Sequence, residues 1–272
     1  VTPTAPEYVV LLARGRSPLD GPVVRAALVE CVVRGLLRIE RRSVRGVLRP
    51  RTEWHLVPGS GTAPVTLAPI VAAVDAAPEV VDLEGRPGRT VAAVVKALKP
   101  ASEGHSYADR HVLPALAAAG LVSDVSPPRW FRTGRFTLTA AGAATASDAE
   151  ARVAAARAAV KAIPARGSAD ATREARLAAA AALGAAGVLV IAEKDLLAAA
   201  STIRRALAED GSSADAALLL YASGADGSSS DGSSSDGSSS DGSRSADDAA
   251  RIGELFDAVD AGAFDAADGG VE

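Results

Sequence analysis

The sequence predicts a mainly α-helical globular domain with short surface β-hairpins, and three observations lead there. Hydrophobic residues fill 48% of 272 positions, enough to bury a proper core. Apolar side chains recur at helical spacing in several segments. Two of those segments stop at a glycine, Gly35 and Gly120, and run straight into a short strand-like stretch.

The first helix is expected to start after Ser17-Pro-Leu-Asp-Gly21, with Pro22 in its opening turn and Val23, Val24, Ala27, Leu28, Cys31 and Val32 on one face. Gly35 suits its C-terminal cap, because glycine enters the left-handed conformation without steric cost. Leu36 to Arg41 alternates weakly, and Val44 to Leu48 with Glu53 to Val57 supplies the rest of a hairpin bounded by Pro50 and Pro58-Gly59. The same plan recurs downstream. Val91 to Leu98 reads as a helix and Tyr107 to Ala119 as another, ending at Gly120 before Leu121-Val-Ser-Asp-Val125 and Phe136-Thr-Leu-Thr139. Pro114 places the start of that second helix near Leu113 or kinks it. Beyond it, Ser147-Asp-Ala-Glu150 has the spacing of a capping box, and helices are expected to Ile163, from Thr172 to Ala192, and from Lys194 to Ala208. The uncharged run Leu177 to Ala192 is shorter than the roughly 20 residues of a spanning helix and reads as a buried core helix.

These elements make one helical domain over residues 5–210. Residues 211–245 carry the repeat Asp226-Gly-Ser-Ser-Ser and read as a disordered linker, since no core forms from that composition. Residues 246–272 are an acidic tail in which Ile252, Leu255, Phe256 and Val259 have the spacing of a short amphipathic helix suited to docking onto a protein partner or back onto the basic body.

Charge separates the same way. The formal net charge of −4 divides into −11 over residues 211–272, with two arginines against thirteen acids, and +7 over residues 1–210. Ten arginines lie between Arg14 and Arg51 against three acids, a basic segment that attracts phosphates on lipid or nucleic acid. The single cysteine, Cys31, excludes an internal disulfide and a cysteine zinc cluster, and its place on the apolar helix face marks it as a small buried hydrophobe. His55, His105 and His111 have no metal-pair spacing, and Gly85-Arg-Pro-Gly-Arg-Thr90 lacks the end of a phosphate loop. No nucleophile, base and oxyanion arrangement is visible, so a non-enzymatic role without cofactor or metal is expected. With Val at position 1 and no Met, an alternative start codon is expected, and without a charged stretch leading into an apolar run the expected compartment is the cytoplasm. The most suggestive surface element is Pro127-Pro-Arg-Trp-Phe-Arg-Thr-Gly-Arg-Phe136, where Trp130 and Phe131 sit among Arg129, Arg132 and Arg135. Such a turn fits a lipid interface, a winged-helix wing, or a simple cover for the core.

Val29-Glu-Cys-Val-Val-Arg-Gly-Leu-Leu-Arg-Ile-Glu40 resembles the hallmark helix and strand of the Golgi phosphoprotein 3 family. His111-Val-Leu-Pro-Ala-Leu-Ala-Ala-Ala-Gly-Leu-Val122 is similar to the family's second glycine-closed helix, and Ser147 to Ile163 with Asp170-Ala-Thr-Arg-Glu-Ala-Arg-Leu177 to helices of its bacterial members. The resemblance spans roughly residues 5–205 by order and spacing. It implies a mostly helical domain that binds the cytosolic face of a membrane through an anionic phospholipid, in eukaryotic members phosphatidylinositol 4-phosphate. Register on Arg34-Gly35 places Val24 where the family has a helix arginine, with Arg25 one position away; register on Gly120 places Ser106 and Asp109 at the family's arginine pair, with Arg110 adjacent. Arg25, Arg110, Arg129, Trp130 and Arg132 are therefore the candidate lipid-binding residues. A tandem winged-helix DNA-binding protein and an adaptor using the acidic tail stay open as other readings, nucleic acid being the less favoured partner because the helix before Gly120 has few base-reading side chains.

Overall fold

The computed structural model describes residues 2–14, 20–45, 51–98, 106–125, 136–164 and 168–209. The fold is mainly helical, as expected, and falls into two compact units whose described parts are residues 2–150 and 151–209. No described helix is long and apolar enough to cross a membrane.

The first unit is built around α2 (Asp20–Val33). Its side chains Val23, Val24, Ala26, Ala27, Leu28, Val29 and Cys31 are at most 4% exposed, so it is buried round most of its circumference and serves as a central helix. It packs against α1 (Ala5–Leu12), α3 (Ala68–Ala76) and the first strand. Neither α1 nor α3 is legible as a separate helix in the sequence. α1 is short for independent stability and holds its start by polar contacts, beginning with the Thr4 amide donating to Glu7 Oε2 at 2.6 Å. α2 ends as expected. Gly35 has φ +68°, and the Leu36 amide donates back to the Cys31 carbonyl at 2.8 Å, closing the orphan carbonyls of the last turn.

From Gly35 the chain enters β1 (Leu37–Val44), which pairs antiparallel with β2 (Arg51–Pro58) in a register opposing Leu37 to Pro58 and Val44 to Arg51. Leu37, Ile39 and Leu56 turn into the core. The expected surface hairpin is here half of a four-stranded antiparallel sheet, because β3 (Val80–Val81) and β4 (Pro87–Thr90) extend it in the order β1-β2-β4-β3. These strands are too short for alternation to reveal. Their turn is folded by Asp82, which accepts the Glu84 amide at 2.9 Å, the Arg86 amide at 2.8 Å and Arg86 Nε at 2.9 Å. The Leu83 amide donates to the Ser43 carbonyl at 2.9 Å, returning the end of β3 to β1. β4 passes directly into α4 (Val91–Leu98), whose Ala93 amide is capped by the Thr90 hydroxyl at 3.2 Å.

The second glycine module follows the same construction. Pro114 cannot donate an amide, and the strain is absorbed by a π-helical turn, Ala108–Val112, in which the Leu113 amide reaches the Ala108 carbonyl. α5 (Leu113–Ala118) then starts with Pro114 in its first turn, as the sequence expectation had it. Gly120 has φ +70°, the Leu121 amide donates to Leu116 at 2.9 Å, and β5 (Val122–Ser123) pairs with β6 (Thr137–Leu138). In both modules the returning chain brings a glycine onto the carbonyl beside the helix cap. A Cβ on Gly59 would lie 2.0 Å from the Gly35 carbonyl oxygen, and one on Gly142 would lie 1.9 Å from that of Leu121.

α6 (Ala140–Lys161) starts earlier than the Ser147 capping-box spacing suggests, which leaves Ser147 inside the helix. The cap is Thr139, whose hydroxyl accepts the Gly142 amide at 3.0 Å and donates to the Gly120 carbonyl at 2.8 Å. The second unit holds the end of α6 with α7 (Ala169–Ala186), α8 (Leu189–Ala192) and α9 (Lys194–Glu209). The expected continuous helix to Ala192 is broken at Gly187, φ +55°. Leu183, Ile191, Leu196, Ile203 and Leu207 form its core, and Arg157 pairs with Glu193 at 2.5 Å. The linker at 211–245, the acidic tail and the aromatic basic turn lie outside the described residues.

The close glycine approaches give a direct stability test. Gly59→Ala and Gly142→Ala should each cost about 2 kcal/mol or more, since backbone must move. Gly85→Ala, at φ +78° with open space around it, should cost only about 1 kcal/mol for its strained conformation. Urea unfolding of the three variants measures the difference.

Candidate functional site

The hallmark segment first does structural work. Glu30 is completely buried on α2, where its Oε2 accepts the Ala5 amide at 2.6 Å and its Oε1 accepts Arg34 Nε at 2.8 Å. One carboxylate therefore caps the start of α1 and holds Arg34 one turn along its own helix. Burial pushes the Glu30 carboxyl above its ordinary value, against the lowering pull of the Ala5 amide and Arg34. Cys31 beside it is buried, and burial pushes its thiol up to about 12, so it behaves as a hydrophobe, as expected from its helix face.

Among the described arginines between 14 and 51, several form ion pairs within the chain. Arg14 pairs with Glu150 at 2.5 Å, Arg34 with Glu30 at 2.7 Å, and Arg42 with Glu40 at 2.7 Å. Arg42 is only 5% exposed. Its Nη1 donates to the Arg86 carbonyl at 3.1 Å and the Pro87 carbonyl at 2.5 Å, so its guanidinium bridges β1 to the start of β4. Beside it His55, fully buried on β2, has no hydrogen-bond partner at either ring nitrogen among the described residues. Glycine is required opposite: a Cβ on Gly88 would lie 2.6 Å from His55 Nδ1 and 2.8 Å from Arg42 Nη1. Burial, then the Arg42 charge, lowers the His55 value below its ordinary 6.5, against Glu53, Asp82 and Glu40. Arg38 and Arg45 remain exposed, the first on β1 and the second just past its end.

The candidate lipid residues are distributed unevenly. Arg25 lies half-buried on α2, with its Nε inside the protein. Arg110 lies in the π-helical turn, half-buried, and its Nη2 donates to the Leu98 carbonyl at the end of α4 at 2.6 Å. The two sit on elements that pack together, but Arg110 is committed to closing a helix end. Arg129, Trp130 and Arg132 lie outside the described residues. Val24 is buried, and Ser106 and Asp109 form a reciprocal cap: the Ser106 hydroxyl donates to Asp109 Oδ2 at 2.9 Å and accepts the Asp109 amide at 3.1 Å. Val24 thus serves helix packing, and Ser106 and Asp109 serve capping.

Sequence reading misses a cleft of about 550 Å³ on the sheet side of this unit. Aliphatic side chains from β1, β3 and α4 wall it, with the Trp54 indole and the charges of Arg45 and Glu53. Trp54 was legible only as a strand residue, because β3 and α4 complete the cleft from distant sequence. Compared with family models, curated proteins and solved structures, the chain matches none.

Two pH-linked predictions follow from the buried groups. The raised Glu30 value means its contribution is full below the ordinary 4.5 and declines as pH rises through the folded value, whereas lowered His55 contributes fully above 6.5 and loses stability as pH falls through its folded value. Because Glu30 and His55 act in opposite directions as pH falls, the His55 part is read by comparison: in urea unfolding at pH 7.5 and 5.5, His55→Leu should lose less stability, or gain more, at 5.5 than the unsubstituted protein does. Glu30→Ala should cost about 3 kcal/mol at pH 7, because it strands a buried amide and an ion-pair partner.

Proposed function

We propose that this chain is a non-enzymatic peripheral membrane protein of the Golgi phosphoprotein 3 type, acting at a cytoplasmic membrane surface by binding anionic phospholipid. The observation that carries this reading is the exposure of Arg38 on β1 and of Arg45 just past its end, while Arg34 and Arg42 are held by ion pairs to Glu30 and Glu40. Arg45 lines a cleft together with Val81, which is 56% exposed. Cations beside exposed aliphatic side chains suit a headgroup layer, where each adds attraction to a negative leaflet. The basic aromatic turn with Arg129, Trp130 and Arg132 would add to that contact. Because Val24, Ser106 and Asp109 stand where the family has headgroup arginines, the binding we propose responds to negative charge rather than to one inositol phosphate.

The helices of the first unit weigh against duplex DNA as the ligand. α2 is enclosed, and α5 exposes Pro114, Ala117 and Ala118, none of which hydrogen-bonds a base edge.

Sedimentation with phosphatidylglycerol vesicles across a salt series, beside a gel shift on duplex DNA, tests the reading. Binding should appear at low salt, weaken as salt rises, and be absent with neutral vesicles. Arg38→Gln with Arg45→Gln should weaken it roughly 30-fold, at about 1 kcal/mol for each arginine near the surface. A DNA shift without vesicle binding would overturn it.

A further inference from the structure

We infer that the cleft between the sheet and α4 is a binding site for a single-chain anionic amphiphile, a phosphate-bearing headgroup carrying one hydrocarbon chain. This rests on the lipid reading above and gives it a place: the ligand is a membrane lipid whose chain enters the cleft and whose headgroup lies against Arg45. At about 550 Å³ the cleft has the size of a small-molecule site. Val80, Val81 and Ala92 give it aliphatic walls, with the buried Val44 and Val91 at its base. Thr90 adds a hydroxyl, already committed to the Ala93 amide at 3.2 Å. Against these aliphatic side chains a hydrocarbon chain leaves no hydrogen bond unmade.

The charges decide the headgroup. Arg45 is exposed, so its guanidinium is placed to meet a phosphate at the mouth. Glu53 lies deeper along β2 and turns toward the buried His55, with 3.9 Å between its Oε2 and the ring Nε2. Its carboxylate repels an anion, so Arg45 and Glu53 act with opposite sign on the same ligand. Trp54 lines the cleft and reports on its occupancy.

The chain contains two tryptophans, so Trp130→Phe leaves Trp54 as the single indole, and vesicle sedimentation of this background beside the unsubstituted protein measures what Trp130 itself contributes. In that background Trp54 fluorescence is titrated with lysophosphatidylglycerol below its micelle concentration, with a neutral lysolipid, and with inorganic phosphate. Saturable binding is expected with the first, weaker binding with the second and none with phosphate alone. Arg45→Gln should weaken the first about tenfold, Glu53→Gln should strengthen it, and Ala92→Phe, at an exposed position of α4, should abolish it by filling the cleft. No saturable response, a response to phosphate alone, or one unchanged in Ala92→Phe with native circular dichroism would overturn the site. Vesicle sedimentation of the unsubstituted protein separates the two failures. Vesicle binding without a Trp54 response sinks the cleft alone, and a Trp54 response without vesicle binding sinks the membrane source of the ligand while the amphiphile site stands.

Discussion

The first unit depends on the buried carboxylate of Glu30. A charge without solvent is costly unless its lone pairs are used, and here the Ala5 amide and the Arg34 guanidinium use them. The same contact joins two helices. α1 has only eight residues, and its start is held to α2 by this bond while its apolar face joins the core. One turn beyond Glu30, Gly35 reverses the chain into β1, so the carboxylate also sits at the root of the sheet. Loosening it would free α1 and disturb the point from which the sheet departs.

The sheet has its own polar interior, organised by Arg42. Its guanidinium ties β1 to β4 through the Arg86 and Pro87 carbonyls, and His55 lies beside it with no hydrogen-bond partner for its ring nitrogens among the described residues. Glycine at 88 lets the two side chains approach. This arrangement turns part of the basic segment inward. Of the described arginines in this segment, Arg42 is turned inward, while Arg38 and Arg45 are exposed.

What could be read from the sequence was local. Pro22, Gly35, Pro114 and Gly120 act through their own backbone restrictions, and the helix starts and stops they imply appear where expected. β3 and β4 could not be read, because two- and four-residue strands are defined by partners rather than by alternation. The role of Glu30 was equally hidden, since its partner Ala5 lies twenty-five residues away. Of the five candidate lipid residues, Arg25 and Arg110 prove half-buried, and burial is a tertiary property that no charge count reveals. The cleft required β1, β2, β3 and α4 to be brought together before Arg45 and Trp54 could be seen beside it.

If the first unit meets its ligand through the sheet while α2 serves only as scaffold, hydrogen exchange on the full chain will show it. With phosphatidylglycerol vesicles added, the amides of residues 37–58 should gain protection, while those of residues 20–33, slow already in the core, should not change. Protection gained in residues 20–33 or 113–118 with the sheet unchanged would contradict the account.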